Sequence, residues 1–131
     1  MEKIELKNCE QKYWEFVRTL RNNKEVIDGF IENIYITQES QIKYMESYNE
    51  LYRICTVDSI PVGYVGVIDG DIRICTHPDH QKKGYGKFMI EKIMKTFPDS
   101  FAKVKIKNQD SNHFFKSLGF EETFIIYTKK K

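Results

Sequence analysis

Residues Pro78-Asp79-His80-Gln81-Lys82-Lys83-Gly84-Tyr85-Gly86-Lys87 concentrate the chemistry of this sequence. Two glycines one residue apart let a backbone curl tightly and approach a ligand closely. The segment follows a strand-like run and precedes a helical one, and the first amides of a helix have no internal partners. The helix dipole adds a partial positive charge of roughly half a unit there. Such a turn is a ready phosphate cradle, and Lys82, Lys83 and Lys87 surround it with charge. A glycine pair before a helix also makes an ordinary turn, and both readings stand at this point. Two other phosphate loops are excluded. Gly86-Lys87 is followed by Phe88 rather than by Ser or Thr, and the third glycine of a dinucleotide fingerprint is replaced by Met89. That fingerprint also needs a parallel βαβ unit, whereas the runs before this loop read as a hairpin.

The elements that must position the loop follow from periodicity. Lys3 to Leu6 reads as a short strand. Tyr13, Trp14, Phe16, Val17 and Leu20 form a helical stripe within Glu10 to Arg21, and Glu25 to Ile34 is a looser helical piece. Thr37 is an N-cap residue, after which Ile42, Met45 and Tyr48 line one face of a helix. Leu51–Val57, Val62–Ile68 and Asp71–Thr76 read as an antiparallel meander, joined by a turn at Asp58-Ser59-Ile60-Pro61 and a tight hairpin at Asp69-Gly70. The helix after the loop runs from about Tyr85 to Phe97, with Phe88, Met89, Ile90, Ile93, Met94 and Phe97 inward and Glu91 spaced to pair with Lys95. Phe101–Lys107 alternates as a strand. Asp110 or Ser111 caps a short helix ending at Gly119, and Phe120–Thr128 is a last extended segment. The expected fold is α+β (α/β), a mixed central sheet flanked by helices.

Composition narrows the function. The chain has 131 residues, a length suited to one compact domain. Hydrophobic residues at 40 % and charged residues at 31 % describe a globular chain rather than a disordered one. A net charge of +2, with the lysines scattered, argues against nucleic acid, and Lys129-Lys130-Lys131 reads as a solvated tail. No apolar run reaches the ~18–20 residues that cross a bilayer, and the N-terminus has no signal-peptide pattern. Cys9, Cys55 and Cys75 are far apart and odd in number, so reduced thiols in a cytoplasmic setting are expected. His77, His80 and His113 lack partners at ligand spacing, so no metal is expected.

The loop Gln81-Lys82-Lys83-Gly84-Tyr85-Gly86 resembles the Gln/Arg-x-x-Gly-x-Gly/Ala loop of the GCN5-related N-acetyltransferase (GNAT) superfamily. A second block, Asn108, Ser111, Phe115 and Leu118-Gly119-Phe120, is similar in spacing to that family's Asn-x-x-Ala-x-x-x-Tyr-x-x-x-Gly-Phe. The element order fits over nearly the whole chain. The resemblance implies a mostly antiparallel sheet of about six strands with about four helices, opened into a V that holds acetyl-CoA. Its pantetheine arm would pair like an added strand with Ile74, Cys75 and Thr76. Amides from Gln81 to Lys87 would hold the pyrophosphate, Asn108 would contact the arm, Lys116 would approach the adenosine end, and Ser111 and Phe115 would also belong to the cofactor-binding set.

The implied reaction is direct attack of a neutral amine on a thioester, with the Ile74 N–H as oxyanion donor. Phe115 departs from the pattern, because many relatives carry there a Tyr that protonates the leaving sulfur. Tyr85 or Tyr127 would have to substitute, unless both are packing residues, or the thiolate leaves unassisted, which a thiol pKa near ~8.5 allows. Base candidates are Asp71, which also suits a hairpin turn, His77, which also suits a strand-end cap, and a water chain. Cys75 on the same strand invites a covalent intermediate, but no His–Asp pair stands ready to activate it, and a small buried hydrophobe is the plainer role. The N-terminal helices, through Arg21, are where an acceptor phosphate or carboxylate would dock; a helix-end surface charge is the plain alternative. Acceptors to separate are a small-molecule amine such as an amino sugar, a protein N-terminus or lysine, and none at all, in a non-catalytic acyl-CoA-binding module. The chain left after Phe120 is short for a closing hairpin, so a homodimer partner or a truncated sheet edge is expected to complete the sheet.

Overall fold

The computed structural model describes residues 2–32 and 34–131. Its order is β1 (Ile4–Asn8), α1 (Trp14–Arg21), α2 (Gln38–Tyr48), β2 (Tyr52–Val57), β3 (Ile60–Ile68), β4 (Asp71–Thr76), α3 (Tyr85–Thr96) and α4 (Gln109–Ser117). The strands form one antiparallel sheet in the order β1-β2-β3-β4. Both hairpins of the meander turn on left-handed pairs: Asp58 and Ser59 at φ 51° and 69°, and Asp69 and Gly70 at φ 52° and 83°. These are the dihedrals that match the twist of flanking strands. The first turn is therefore shorter than Asp58–Pro61, and Ile60 and Pro61 belong to β3.

The sheet has two covered faces. On one, Cys55, Val57, Val65, Val67 and Ile72 pack against Tyr85, Met89, Ile90 and Ile93 of α3. On the other, Tyr52, Ile54 and Tyr64 pack with Val17 and Leu20 of α1 and Met45 of α2. Thr37 caps α2, its hydroxyl accepting from the Ser40 N–H at 3.1 Å. The buried side of α2 is Gln41 and Met45, while Ile42 and Tyr48 stay exposed. Gln41 reaches that position because its side-chain amide donates to the Trp14 carbonyl at 2.9 Å.

Several expected elements differ. The sheet has four strands instead of about six. Phe101–Lys107 touches the sheet through a single parallel bridge, Phe101 to Asp71. The rest of that segment is held by Asn112, whose side-chain amide donates to the carbonyls of Lys105 (3.1 Å) and Asn108 (2.9 Å). Residues 121–131 are exposed and outside any strand. Between Glu25 and Ile34, only Ile27–Gly29 is helical among the described residues, as a 3₁₀ turn, and position 33 lies outside them. Glu91 meets Lys87 (3.8 Å), one turn earlier than the expected Lys95. The cap of α4 is Asn108, two residues before Asp110 and three before Ser111.

Candidate active site

Strand β4 is the edge of the sheet and the floor of the site. It pairs with β3 through Gly63↔Thr76, Tyr64↔Cys75, Val65↔Ile74 and Gly66↔Arg73. The His77 N–H donates to the Val62 carbonyl on β3 at 2.8 Å, whereas the Ile72 N–H points the other way, to the Phe101 carbonyl at 2.8 Å. Backbone direction alternates along a strand, so the amides of Ile74 and Thr76 share the outward side of Ile72. Beyond Phe101 the neighbouring chain makes no further bridge to β4 among the described residues. The sheet edge is thus paired at Ile72 and, among the described residues, unpaired at Ile74.

The loop continues from that edge. Gln81 ties it back, its side-chain amide donating to the Thr76 carbonyl at 3.1 Å. Lys82 adopts φ 63° and Gly84 φ 88°. Gly84 serves as the N-cap of α3 with no side-chain cap, and no acidic residue occupies the first turn. The first helical bond runs from the Phe88 N–H to the Gly84 carbonyl (3.1 Å), so the amides of Tyr85, Gly86 and Lys87 precede the ladder. Space beside Gly84 is open to 4 Å, so its requirement is the left-handed dihedral. Gly86 is needed for packing: a Cβ there would sit 3.1 Å from the Phe114 ring. The loop therefore offers uncapped amides, a dipole and exposed lysines on the open side of β4.

The remaining expected site residues divide sharply. Asn108 Oδ1 accepts from the Ser111 N–H at 3.1 Å, so both belong to the α4 cap. Phe115 is wedged between Phe114 and Phe120, at 5.1 and 5.2 Å between ring centroids. Lys116 is paired with Glu122 at 2.6 Å. Tyr85 is turned away from the opening: it is buried, and its hydroxyl donates to the Glu2 carboxylate at 3.0 Å. Tyr127 is 89 % exposed on the tail, and the structure does not bring it to the loop.

The base candidates are both engaged. Asp71 Oδ2 lies 3.1 Å from Arg73 Nε and 3.8 Å from Lys103 Nζ. The carboxylate therefore organises two cations. His77 uses Nδ1 to accept from the Asp79 N–H at 3.1 Å, capping the 3₁₀ turn Pro78–His80. Cys75 is half-buried, and burial of its thiol pushes the pKa up to about 12. A thiol so disfavoured as thiolate is a poor nucleophile.

Sequence reasoning missed the tyrosines of the opposite sheet face. Tyr52 and Tyr44 join hydroxyls at 2.7 Å, and the Tyr52 ring stands 6.0 Å from those of Tyr44 and Tyr64. Gly66 makes room, since a Cβ there would meet the Tyr52 ring at 2.6 Å. Alternation along β2, β3 and β4 was the available signal, because it puts Tyr52, Tyr64, Arg73 and Cys75 on one face. A cleft of about 450 Å³ lies elsewhere, lined by Ile90, Glu91, Met94, Ser100, Leu118, Gly119 and Phe120, with the Glu91 carboxylate 3.8 Å from Lys87. Its only hydroxyl, Ser100, already donates to the Phe97 carbonyl at 2.7 Å, so the chemistry is not there.

The model of the acetyltransferase (GNAT) domain matches residues 48–122. The chain belongs to the GNAT acetyltransferase family. No curated protein sequence matches it. Among solved structures it is similar to an aminoglycoside N-acetyltransferase crystallised with CoA, at 16 % identity and TM-score 0.74, covering 100 % of this chain and 96 % of that one. It is also similar to a domain from Methanocaldococcus jannaschii, at 21 % identity and TM-score 0.80, covering 94 % and 91 %. A third is spermidine N-acetyltransferase from Vibrio cholerae, in complex with CoA and spermine, at 19 % identity and TM-score 0.77, covering 92 % and 82 %. Among the described residues, no helix is long and apolar enough to cross a membrane, and no three His, Cys, Asp or Glu side chains gather as metal ligands.

Proposed function

We propose that this protein transfers an acetyl group from acetyl-CoA to the primary amine of a small molecule such as an amino sugar. The observation that carries the reading is the juxtaposition of two unpaired backbone edges: the amides at Tyr85–Lys87 and the outward amides of Ile74 and Thr76. The first edge suits a pyrophosphate, and the second suits a diamide arm laid as an extra strand. Lys82, Lys83 and Lys87 add charge to the first, and CoA-bound neighbours of the same fold support the assignment. CoA supplies the activated acyl group as a thioester. In this reading the outward Ile74 N–H would donate to the carbonyl oxygen as charge develops, a contribution of a few kcal/mol. The acceptor nitrogen forms the new C–N bond, the C–S bond breaks with its electrons on sulfur, and the amine's proton passes to water.

Phe115 supports a second reading, a module that binds acyl-CoA without turnover. Its ring offers no proton, Tyr85 is committed to Glu2, and Tyr127 lies out on the tail. Unassisted departure of a thiolate keeps the first reading chemically complete. Free-thiol release from acetyl-CoA with a panel of amines decides between them: release supports transfer, and CoA binding without release supports the module.

The chain is further read as one domain working in a reducing compartment, as the free thiols of Cys9, Cys55 and Cys75 suggest. Exposure of Phe124 at 91 % and Ile126 at 83 % supports a homodimer that covers the tail. Size-exclusion chromatography is expected to give a dimer, and a strict monomer at micromolar concentration contradicts it.

A further inference from the structure

The sheet face opposite α3 carries polar groups that neither folding nor the transfer step uses. Tyr64 is 2 % exposed, and its hydroxyl has no hydrogen-bond partner among the described residues. The one completely enclosed side-chain oxygen or nitrogen without a partner there is Thr56 Oγ1. The Tyr64 hydroxyl is thus a buried donor without a protein partner among the described residues, short of complete enclosure. It is the cross-strand partner of Cys75, one residue from Ile74.

Charge gathers around that hydroxyl. Arg21, at the end of α1, has no carboxylate partner among the described residues, and its guanidinium is held over the Phe30 ring at 5.3 Å. Leu20, next to Arg21 in the chain, packs in one cluster with Tyr52, Tyr64 and Cys75, which brings the end of α1 to these groups, and the Arg21 charge opposes the larger upward effect of burial on all three. Arg73 gives its Nε to Asp71 and leaves its outer N–H groups unpaired among the described residues. The hydroxyl of buried Tyr52 is hydrogen-bonded to Tyr44 alone among the described residues, so donation from Tyr52 leaves the half-buried Tyr44 with a proton to give. All these groups donate, and the nearby carboxylate, Asp71, is already balanced by Arg73 and Lys103.

We propose that Arg21, Arg73 and the Tyr44 and Tyr64 hydroxyls form the receptor for an anionic group, a carboxylate or phosphate, carried by the amine acceptor. This rests on the acetyl-transfer reading and narrows it. The positions suit the geometry: Arg73 and Cys75 flank Ile74 in β4, so an acceptor anchored there brings its amine toward the Ile74 amide. Planar guanidinium forks match carboxylate and phosphate oxygens. A polycationic acceptor would meet two arginines with no free carboxylate to balance it.

The test is calorimetric binding of matched amines to the CoA-saturated protein, alongside thiol release from acetyl-CoA. One pair is an amino sugar with and without a 6-phosphate; the other is an α-amino acid and its amide. A polyamine is the cationic control. The anionic member of at least one pair should bind about tenfold or more tightly than its neutral partner, the effect of one charge-assisted hydrogen bond. Which pair responds separates phosphate from carboxylate. Arg21→Gln should erase that preference and raise KM with little change in kcat, while Arg21→Lys keeps part of it. Tyr64→Phe, which is isosteric apart from the hydroxyl, should lower the preference without unfolding the protein. Equal binding of neutral and anionic partners, or a preference that survives Arg21→Gln, overturns the receptor. Anionic preference without thiol release supports the receptor and overturns transfer; thiol release without preference does the reverse.

Discussion

The two faces of this sheet are built from the same strands and differ in what they leave unfinished. Toward α3, Val57, Val65, Val67 and Ile72 meet Met89, Ile90 and Ile93, and the hydroxyl in that layer, Tyr85, is already given to Glu2. Toward α1 and α2, Tyr52 and Tyr64 stand in the same layer as Leu20, Ile54 and Met45. The first face holds the molecule together through burial of apolar area. The second gives up part of that packing to hold three ring hydroxyls beside two guanidinium groups. Residues two apart on β4, such as Ile72 and Ile74, stabilise, while Arg73 and Cys75 face the side where an acceptor would dock.

The contrast can be broken from the apolar side first. Met89 is fully buried against the sheet. Met89→Ala should cost about 2–5 kcal/mol of unfolding free energy, read by chemical denaturation. A loss below about 1 kcal/mol would mean that this face is not the stabilising one.

Alkali tests both faces together. Burial raises the Cys9 and Cys55 thiols from 9.0 to about 11. Their folded pKa values lie above the unfolded ones, so this stabilisation is complete below pH 9.0 and is lost as pH rises through about 11. Unfolding free energy should fall there by up to ~1.4 kcal/mol per pH unit for each titrating thiol. Cys55→Ala should flatten the fall, and an equally steep profile in that variant contradicts the assignment.

At Gly84 the effect moves from stability to binding. A β-branched side chain at φ 88° is strained by about 1–2 kcal/mol, and Gly84→Val would also crowd the uncapped amides. CoA affinity should fall by about tenfold or more, while Gly84→Asn, which tolerates left-handed φ, should lose less. Unchanged affinity in Gly84→Val counts against the cradle. The smallest stability effect belongs to Tyr64→Phe. Because its hydroxyl has no protein partner, thermal stability should change by less than about 1 kcal/mol, and a larger loss would assign that hydroxyl to the fold.

The legible parts of the sequence were those with local causes. Thr37 caps the helix that follows it, Asp69-Gly70 supplies a left-handed pair, and Gly84 starts a helix with nothing to cap it. Alternation in Phe101–Lys107 and the apolar run in Phe120–Thr128 gave local strand signals like those of β2 to β4, but a strand also needs a neighbour, and pairing is a long-range fact. The α4 cap fell on Asn108 because its side-chain Oδ1 reaches the Ser111 N–H, two and three residues before the expected Asp110 and Ser111. Tyr85 looked like a site residue from its place between the glycines, yet helical direction turns it inward to Glu2. The tyrosine face escaped notice because its members come from α2, β2 and β3, and only the cross-strand register Tyr64↔Cys75 and Gly66↔Arg73 assembles them.

The most direct measurement is amide chemical-shift mapping during a titration with CoA. The largest perturbations should fall on Gly84, Tyr85, Gly86 and Lys87, with a second group at Ile74 and Thr76. Perturbations gathered instead around Ile90, Met94, Leu118 and Phe120, with the Gly84–Lys87 amides unmoved, would contradict the central claim.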